Sequence, residues 1–203
     1  MYKYLGLIVI LFIITPVLSN ADVRAIYPTN DTFVSENFPD TNYGDRDYFT
    51  IGYISGSVVA LLEFDLSAYA GTTINWANLN LRVYTNGGSF PTDSLYIAFN
   101  DIGWDEGTVK WNNKPGIVDP TPISSPSTYD WWVIDVTDWV QDIVNGTIDN
   151  YGFQIFKYNS VSNWFSMRSK EYGTTTYRPK LIFDFEETAI ESTSLGEIKA
   201  AFK

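Results

Sequence analysis

The residues of this chain that could do chemistry are clustered oxygen donors and tryptophans. Asp40, Asn42, Asp45 and Asp47 place four oxygen-bearing side chains within eight residues of a Gly-containing loop. Calcium takes about six to eight oxygens, so these four are the candidate metal ligands. Their spacing is not that of an EF-hand, and Asp and Asn in such a loop also satisfy their own turn backbone. Any calcium bound here would be structural; no cofactor is required. Asp105 and Glu106 adjoin Trp104, and a glycosidase needs two carboxyls roughly 5–9 Å apart across a sugar. Neighbours on an extended chain point to opposite sides, so Glu106 reads instead as an acceptor for backbone or tryptophan N–H groups. The chain has no histidine and no cysteine. That removes the usual zinc ligand, the Ser-His-Asp arrangement and the commonest general base. No catalytic residue is assigned, and a non-enzymatic protein is expected.

The tryptophans divide by their surroundings. Trp132 shares parity with Ile134 and Val136 in an extended segment, which puts Trp131 on the outer face. Trp164 follows a polar run from Tyr158 to Asn163, as a ring at a loop tip would. Exposed rings stack on the apolar faces of sugars, and Asn163 and Arg168 are placed to bond hydroxyls beside them. Trp131, Trp164, Asn163 and Arg168 are therefore the candidate carbohydrate-binding residues. The same rings would equally suit a protein interface. Trp104, Trp111 and Trp132 are assigned to the core, where large aromatics dominate packing.

Short strands must position these groups. Val58 to Leu66 alternates, with Ala60, Leu62, Phe64 and Leu66 on one side and Leu61, Glu63 and Asp65 on the other. That period of two predicts a strand with core on one face and water on the other. Ala77–Tyr84, Leu95–Phe99 and Trp132–Val136 repeat the pattern, and Phe153–Phe156, Trp164–Arg168 and Leu181–Phe185 add further strands. Thr108–Trp111 has the content of another short strand, followed by turn chemistry up to Pro115. Glycine, proline and asparagine separate the runs, which predicts a sandwich or barrel. One helix interrupts, with Thr137 as its N-cap, Val140, Ile143 and Val144 as its apolar stripe and Asn145-Gly146 as its stop. Asp135 and Thr137 thus read as capping residues. Arg178 reads as the partner of a buried carboxylate such as Glu171.

Charge and termini set further bounds. With 24 acidic and 13 basic residues among 203, the formal charge is −11. Such a field repels nucleic acid and anionic membranes. Aromatics make up 17% of the chain, enough for a large β core or a sugar-binding surface. Lys3, the apolar run Leu5–Leu18 and Ser19-Asn20-Ala21 form a signal peptide over residues 1–21, too short to span a membrane at the ~20 residues needed. Secretion to the exterior or the cell surface is expected, with one domain over 22–185. Residues 186–203 read as a polar linker and short tail, with Ser194–Glu197 as a capping box.

Several pieces together resemble one family, the disaggregatase-related DNRLRE domains. Asp31-Thr32 sits in a segment similar to the family's opening strand, and Asn42-Tyr43-Gly44 matches its N-Y-G turn. Leu62-Glu63-Phe64-Asp65-Leu66 resembles its r-F-D-l strand, and Ile74–Leu79 its I-x-x-A-x-L strand. Trp104–Trp111 with Pro115 matches W-x-E-x-x-v-x-W…P. Asp135-Val136-Thr137, Asn150-Tyr151-Gly152-Phe153, and Ser169-Lys170-Glu171 with Arg178-Pro179-Lys180-Leu181 complete the order. The resemblance covers Asp22 to Phe185. It implies an all-β, antiparallel jelly-roll-like β-sandwich with one short helix, and non-catalytic binding of polysaccharide at or near the cell surface. A branch resembling alginate binders uses a lysine-rich face, which this acidic chain lacks. The alternatives are a structural protein that associates with itself or other surface proteins through sheet edges and tryptophans, and then a polysaccharide-cleaving enzyme.

Overall fold

A computed structural model describes residues 22–87, 95–158 and 160–186. The expected signal peptide, and the tail from 187 onward with its capping box, lie outside the described residues. Among these residues eleven strands run in the order β1 (Asp22–Ile26), β2 (Asn30–Ser35), β3 (Tyr48–Tyr53), β4 (Ser57–Glu63), β5 (Thr73–Asn86), β6 (Leu95–Asn100), β7 (Ile117–Ile123), β8 (Trp131–Asp135), β9 (Phe153–Phe156), β10 (Asn163–Arg168) and β11 (Lys180–Glu186). All their pairings are antiparallel. They form a curled sheet folded into two layers, a jelly-roll-like sandwich. Its first layer is β1-β11-β5 with β8 also on β5, and its second is β10-β3-β4-β9-β6-β7 with β2 also on β4.

Strand β5 joins the layers. Its first half pairs with β11 and β8, and its last residues pair with β10. From Ala77 to Val83 its odd positions are buried and its even positions are not, as the alternation predicts. The core between the layers holds Phe49, Ile51, Ala60, Leu62, Leu79, Leu81, Trp132, Phe165, Met167 and Phe183. Helix α1 (Thr137–Val144) buries Val140, Ile143 and Val144. Its Gln141 side chain accepts the Ile74 N–H at 2.7 Å and donates to the Thr72 carbonyl at 3.1 Å, fixing the helix to the start of β5.

The structure corrects four local expectations. First, β4 is buried on both faces. Val59 and Leu61 enter a second apolar cluster with Val34, Ala98, Val109 and Phe156, roofed by the half-buried rings of Trp104 and Trp111. Second, Thr108–Trp111 is not a strand. The Asp105 carbonyl accepts the Thr108 and Val109 N–H groups and its carboxylate accepts the Thr108 hydroxyl, so local side-chain bonding turns the chain before a 3₁₀ turn at Trp111–Asn113. Third, the helix N-cap is Val136. Thr137 is the first helical residue; Asp135 accepts its N–H at 3.0 Å and its hydroxyl at 2.6 Å, and that hydroxyl oxygen accepts the Ala77 N–H. Fourth, the Arg178 Nε donates to the Tyr172 carbonyl at 2.8 Å, while Glu171 pairs with Lys170 at 2.6 Å. The sequence reading also passed over β7. Its Pro120 and Pro122 cannot donate to a ladder, and the strand survives because it lies at a sheet edge.

Candidate functional site

On the outward face of the second layer, β3 and β10 lie side by side. Tyr48 is opposite Arg168, Thr50 opposite Ser166 and Gly52 opposite Trp164. The neighbouring β5 contributes through a β-bulge. Ser166 faces Thr85 while Met167 faces Val83, so Tyr84 is the extra residue. Bulges of this kind re-aim a side chain. Tyr48, Thr50, Tyr84, Thr85, Trp164 and Ser166 line an open groove of about 450 Å³, whose wall continues through Phe33, Tyr43, Phe38 and Ile54.

The groove wall is a ladder of rings. Tyr43 stacks on Phe33 at 4.2 Å, Phe33 on Tyr48 at 5.8 Å, and Tyr48 meets Tyr84 edge-on at 6.3 Å. The Arg168 guanidinium lies 3.7 Å from the Tyr84 ring centroid and 3.9 Å from that of Tyr172, with Asp47 at 3.8 Å. Burial pushes the Tyr84 phenol up despite the adjacent guanidinium, so it stays neutral. At the base, the Thr50 and Ser166 hydroxyls hydrogen-bond each other at 2.7 Å. Rings beside fixed hydroxyls offer an apolar surface with a few oriented polar contacts, the usual build of a small-molecule or glycan site.

Trp164 is a strand residue rather than a loop-tip ring, and it lines this groove. A Cβ at Gly87 would fall 2.0 Å from its Nε1, so the missing side chain there makes room for the indole. Arg168 stands in the same row of β10, gripped between its two tyrosines. Asn163 is buried, and its Oδ1 accepts a hydrogen bond from Lys157 Nζ. Trp131 lies on β8, away from the groove. It is half-buried, with Lys180 Nζ 4.4 Å and the Arg82 guanidinium 6.0 Å from its ring centroid. The structure therefore separates the two candidate rings. Sequence reasoning missed Tyr48, Thr50 and Tyr84. For Tyr48 and Thr50 the available signal was their shared parity on β3.

The candidate metal loop is otherwise engaged. Asp40 accepts from the Asn112 amide at 2.9 Å, Asp45 faces Arg46 at 3.8 Å and Asp47 faces Arg168. The Asn42 amide donates to the Glu106 and Val109 carbonyls at 2.7 and 2.8 Å, so it staples this loop to the Trp104–Pro115 segment. A Cβ at Gly44 would lie 2.4 Å from the Glu106 carbonyl oxygen, which explains the glycine of the N-Y-G turn.

The carboxylates that do converge are Asp31, Glu106 and Glu171, with one oxygen from each within 4.8 Å of the others. Glu106 accepts the Asp31 N–H at 2.9 Å, as a backbone acceptor should, and pairs with Lys170 at 2.6 Å. Burial, then the nearby Glu171, pushes the Asp31 carboxyl well above its ordinary range, and burial raises Glu106 too. Burial alone would lower Lys170, but its bonds to Glu106 and Glu171 hold the ammonium above its usual value.

Residues 23–184 match the model of carbohydrate-binding module family 96. A gellan lyase from a Bacillus species is 23% identical over 185 residues, covering 87% of this chain. The chain spans about 7% of that protein's length. The chain belongs to carbohydrate-binding module family 96.

Proposed function

We propose that this member of carbohydrate-binding module family 96 is a secreted, non-catalytic module that holds polysaccharide in the groove lined by Tyr48, Thr50, Tyr84, Trp164 and Ser166. The observation that carries the reading is the ring ladder beside a hydroxyl pair on an outward sheet face. Trp164 is the ring best placed to stack on a sugar, and Arg168 is the cation at the groove. Trp131 is at most an auxiliary contact, because its ring already has two cations beside it.

Absence of catalysis rests on the lining. Among the described residues no carboxylate lines the groove, and the Tyr84 phenol is pushed away from the lowered pKa that a proton-abstracting tyrosine needs. Self-association through the sheet edge has less support at β7, where Pro120 and Pro122 interrupt the donor row. The eight ordered motifs support placing the domain among DNRLRE-type modules. Export is our reading of residues 1–21, and N-terminal sequencing of culture supernatant should find a chain beginning at Asp22.

Affinity electrophoresis against a polysaccharide panel, gellan included, tests the binding. Wild type should be retarded by at least one glycan, and Trp164→Ala should lose at least about tenfold in affinity, or ~1.4 kcal/mol. Equal retardation of the two proteins, with Trp131→Ala alone impaired, would move the site to the other layer. Release of reducing ends or unsaturated products would make the protein an enzyme.

A further inference from the structure

The acidic cluster beneath the Trp104–Pro115 segment has an unfinished set of partners. Asp31 stands on β2, Glu106 in the segment itself, and Glu171 in the loop after β10. Their oxygens can be followed singly. The Lys170 N–H bonds Asp31 Oδ2, the Asp31 N–H bonds Glu106 Oε1, and the Lys170 ammonium reaches Glu106 Oε2 and Glu171 Oε1. Two oxygens remain, Asp31 Oδ1 and Glu171 Oε2, both buried and both without a hydrogen-bond partner. Asp31 is 1% exposed. An orphaned carboxylate oxygen at that depth is costly unless something compensates it.

We propose that Asp31, Glu106 and Glu171 hold one divalent cation, calcium by the all-oxygen donor set, which joins the covering loop to β2 and to the loop after β10. The spacing fits, because oxygens on opposite sides of a calcium ion stand roughly 4.6–5.2 Å apart, and these lie within 4.8 Å of one another. The charge fits as well. With all groups ionised, three carboxylates against the single Lys170 ammonium leave a double negative charge, which a divalent ion neutralises. The two orphaned oxygens supply direct ligands, Glu106 adds a third by sharing one of its oxygens, and water completes the shell. The ion is a structural clip at a place distinct from the Asp40–Asp47 loop and from the groove.

The test uses the full chain, stripped with EDTA, dialysed and then melted with and without calcium chloride. Calcium in about hundredfold excess over its dissociation constant should raise the melting temperature by roughly 5–10 °C. Asp31→Asn and Glu171→Gln should each abolish that rise, and Glu171→Gln keeps the test informative if Asp31→Asn fails to fold. The double variant Asp40→Asn/Asp45→Asn should retain it. Calorimetric titration of the stripped wild type should give one site. No rise with either calcium or magnesium chloride would overturn the proposal. So would a rise that survives Glu171→Gln, or one lost only in the Asp40/Asp45 variant. An Asp31→Asn protein more stable than stripped wild type, with no calcium response in either, would show that a shared proton joins Asp31 to Glu171 instead.

Discussion

Two outward faces of the second layer carry large rings, and only one is open. Under the Trp104–Pro115 segment, Val59, Leu61, Ala98 and Phe156 are aliphatic or aromatic, and the covering Trp104 donates its Nε1–H to the Tyr151 carbonyl at 3.0 Å. Across β3 and β10 the rings of Tyr48, Tyr84 and Trp164 stand beside the Thr50–Ser166 hydroxyl pair in an open groove. Ring content does not distinguish the faces. The difference is what lies between the rings: methyl groups that a loop must cover, or hydroxyls that tolerate water and can orient a sugar.

The contrast can be broken from the closed side first. Leu61→Ala removes a fully buried side chain from beneath the loop and should cost about 2–5 kcal/mol by urea denaturation, leaving glycan retardation per folded molecule intact. A Leu61 variant within ~0.5 kcal/mol of wild type would mean that the face is not closed in solution. Asn42→Ala, which unties two carbonyls of the covering segment, should cost a smaller ~1–3 kcal/mol. On the open side, Tyr84→Ala should change stability by no more than ~1.5 kcal/mol while weakening glycan binding several-fold. Intact binding would remove the bulge from the site. The smallest effect lies on neither face. The Asp135 carboxyl is held below its ordinary value by the Thr137 hydroxyl, then by the Thr137 N–H. A depressed folded pKa contributes stability that is complete above the unfolded value of about 3.9 and is lost as pH falls through the folded one. Wild type and Asp135→Ala should therefore differ most at neutral pH and converge in acid. The gap stays small because solvent screens this exposed carboxylate. A difference that grows on acidification would refute the assignment.

Local pattern and distant packing account for what was legible in the sequence. The alternation of β5 and the parity of Trp131 against Trp132 are set by the strand's own period, and the structure reproduces both. Leu61 failed because its second buried face depends on a loop more than forty residues later, which no local period encodes. Arg178 failed because the adjacent Lys170 holds Glu171, and the guanidinium donates to the Tyr172 carbonyl instead. Of the residues singled out from the sequence, Trp164 lines the groove and Arg168 lies over its Tyr84 ring, whereas Tyr84 itself depends on a bulge that pairing registers reveal and spacing does not. The acidic trio was invisible as spacing, since Asp31, Glu106 and Glu171 are scattered along the chain. A signal did exist. Each acid belongs to one of the ordered motifs, and three acids at motif positions are a pattern worth placing in one site.

The long strand β5 bears on how the molecule forms and comes apart. Because its first half is hydrogen-bonded in one layer and its last residues in the other, neither layer can be completed, or peeled away, without disturbing a strand that the other needs. Partners of β5 also come from far along the chain: Asn80 pairs with Lys180, and Thr73 with Glu186. Folding must close loops of that length before their contacts repay it, which places such a topology on the millisecond-to-second scale. Unfolding should then be a single event. Amide hydrogens of Leu79 in one layer and Phe165 in the other should exchange with similar protection, through the same global opening.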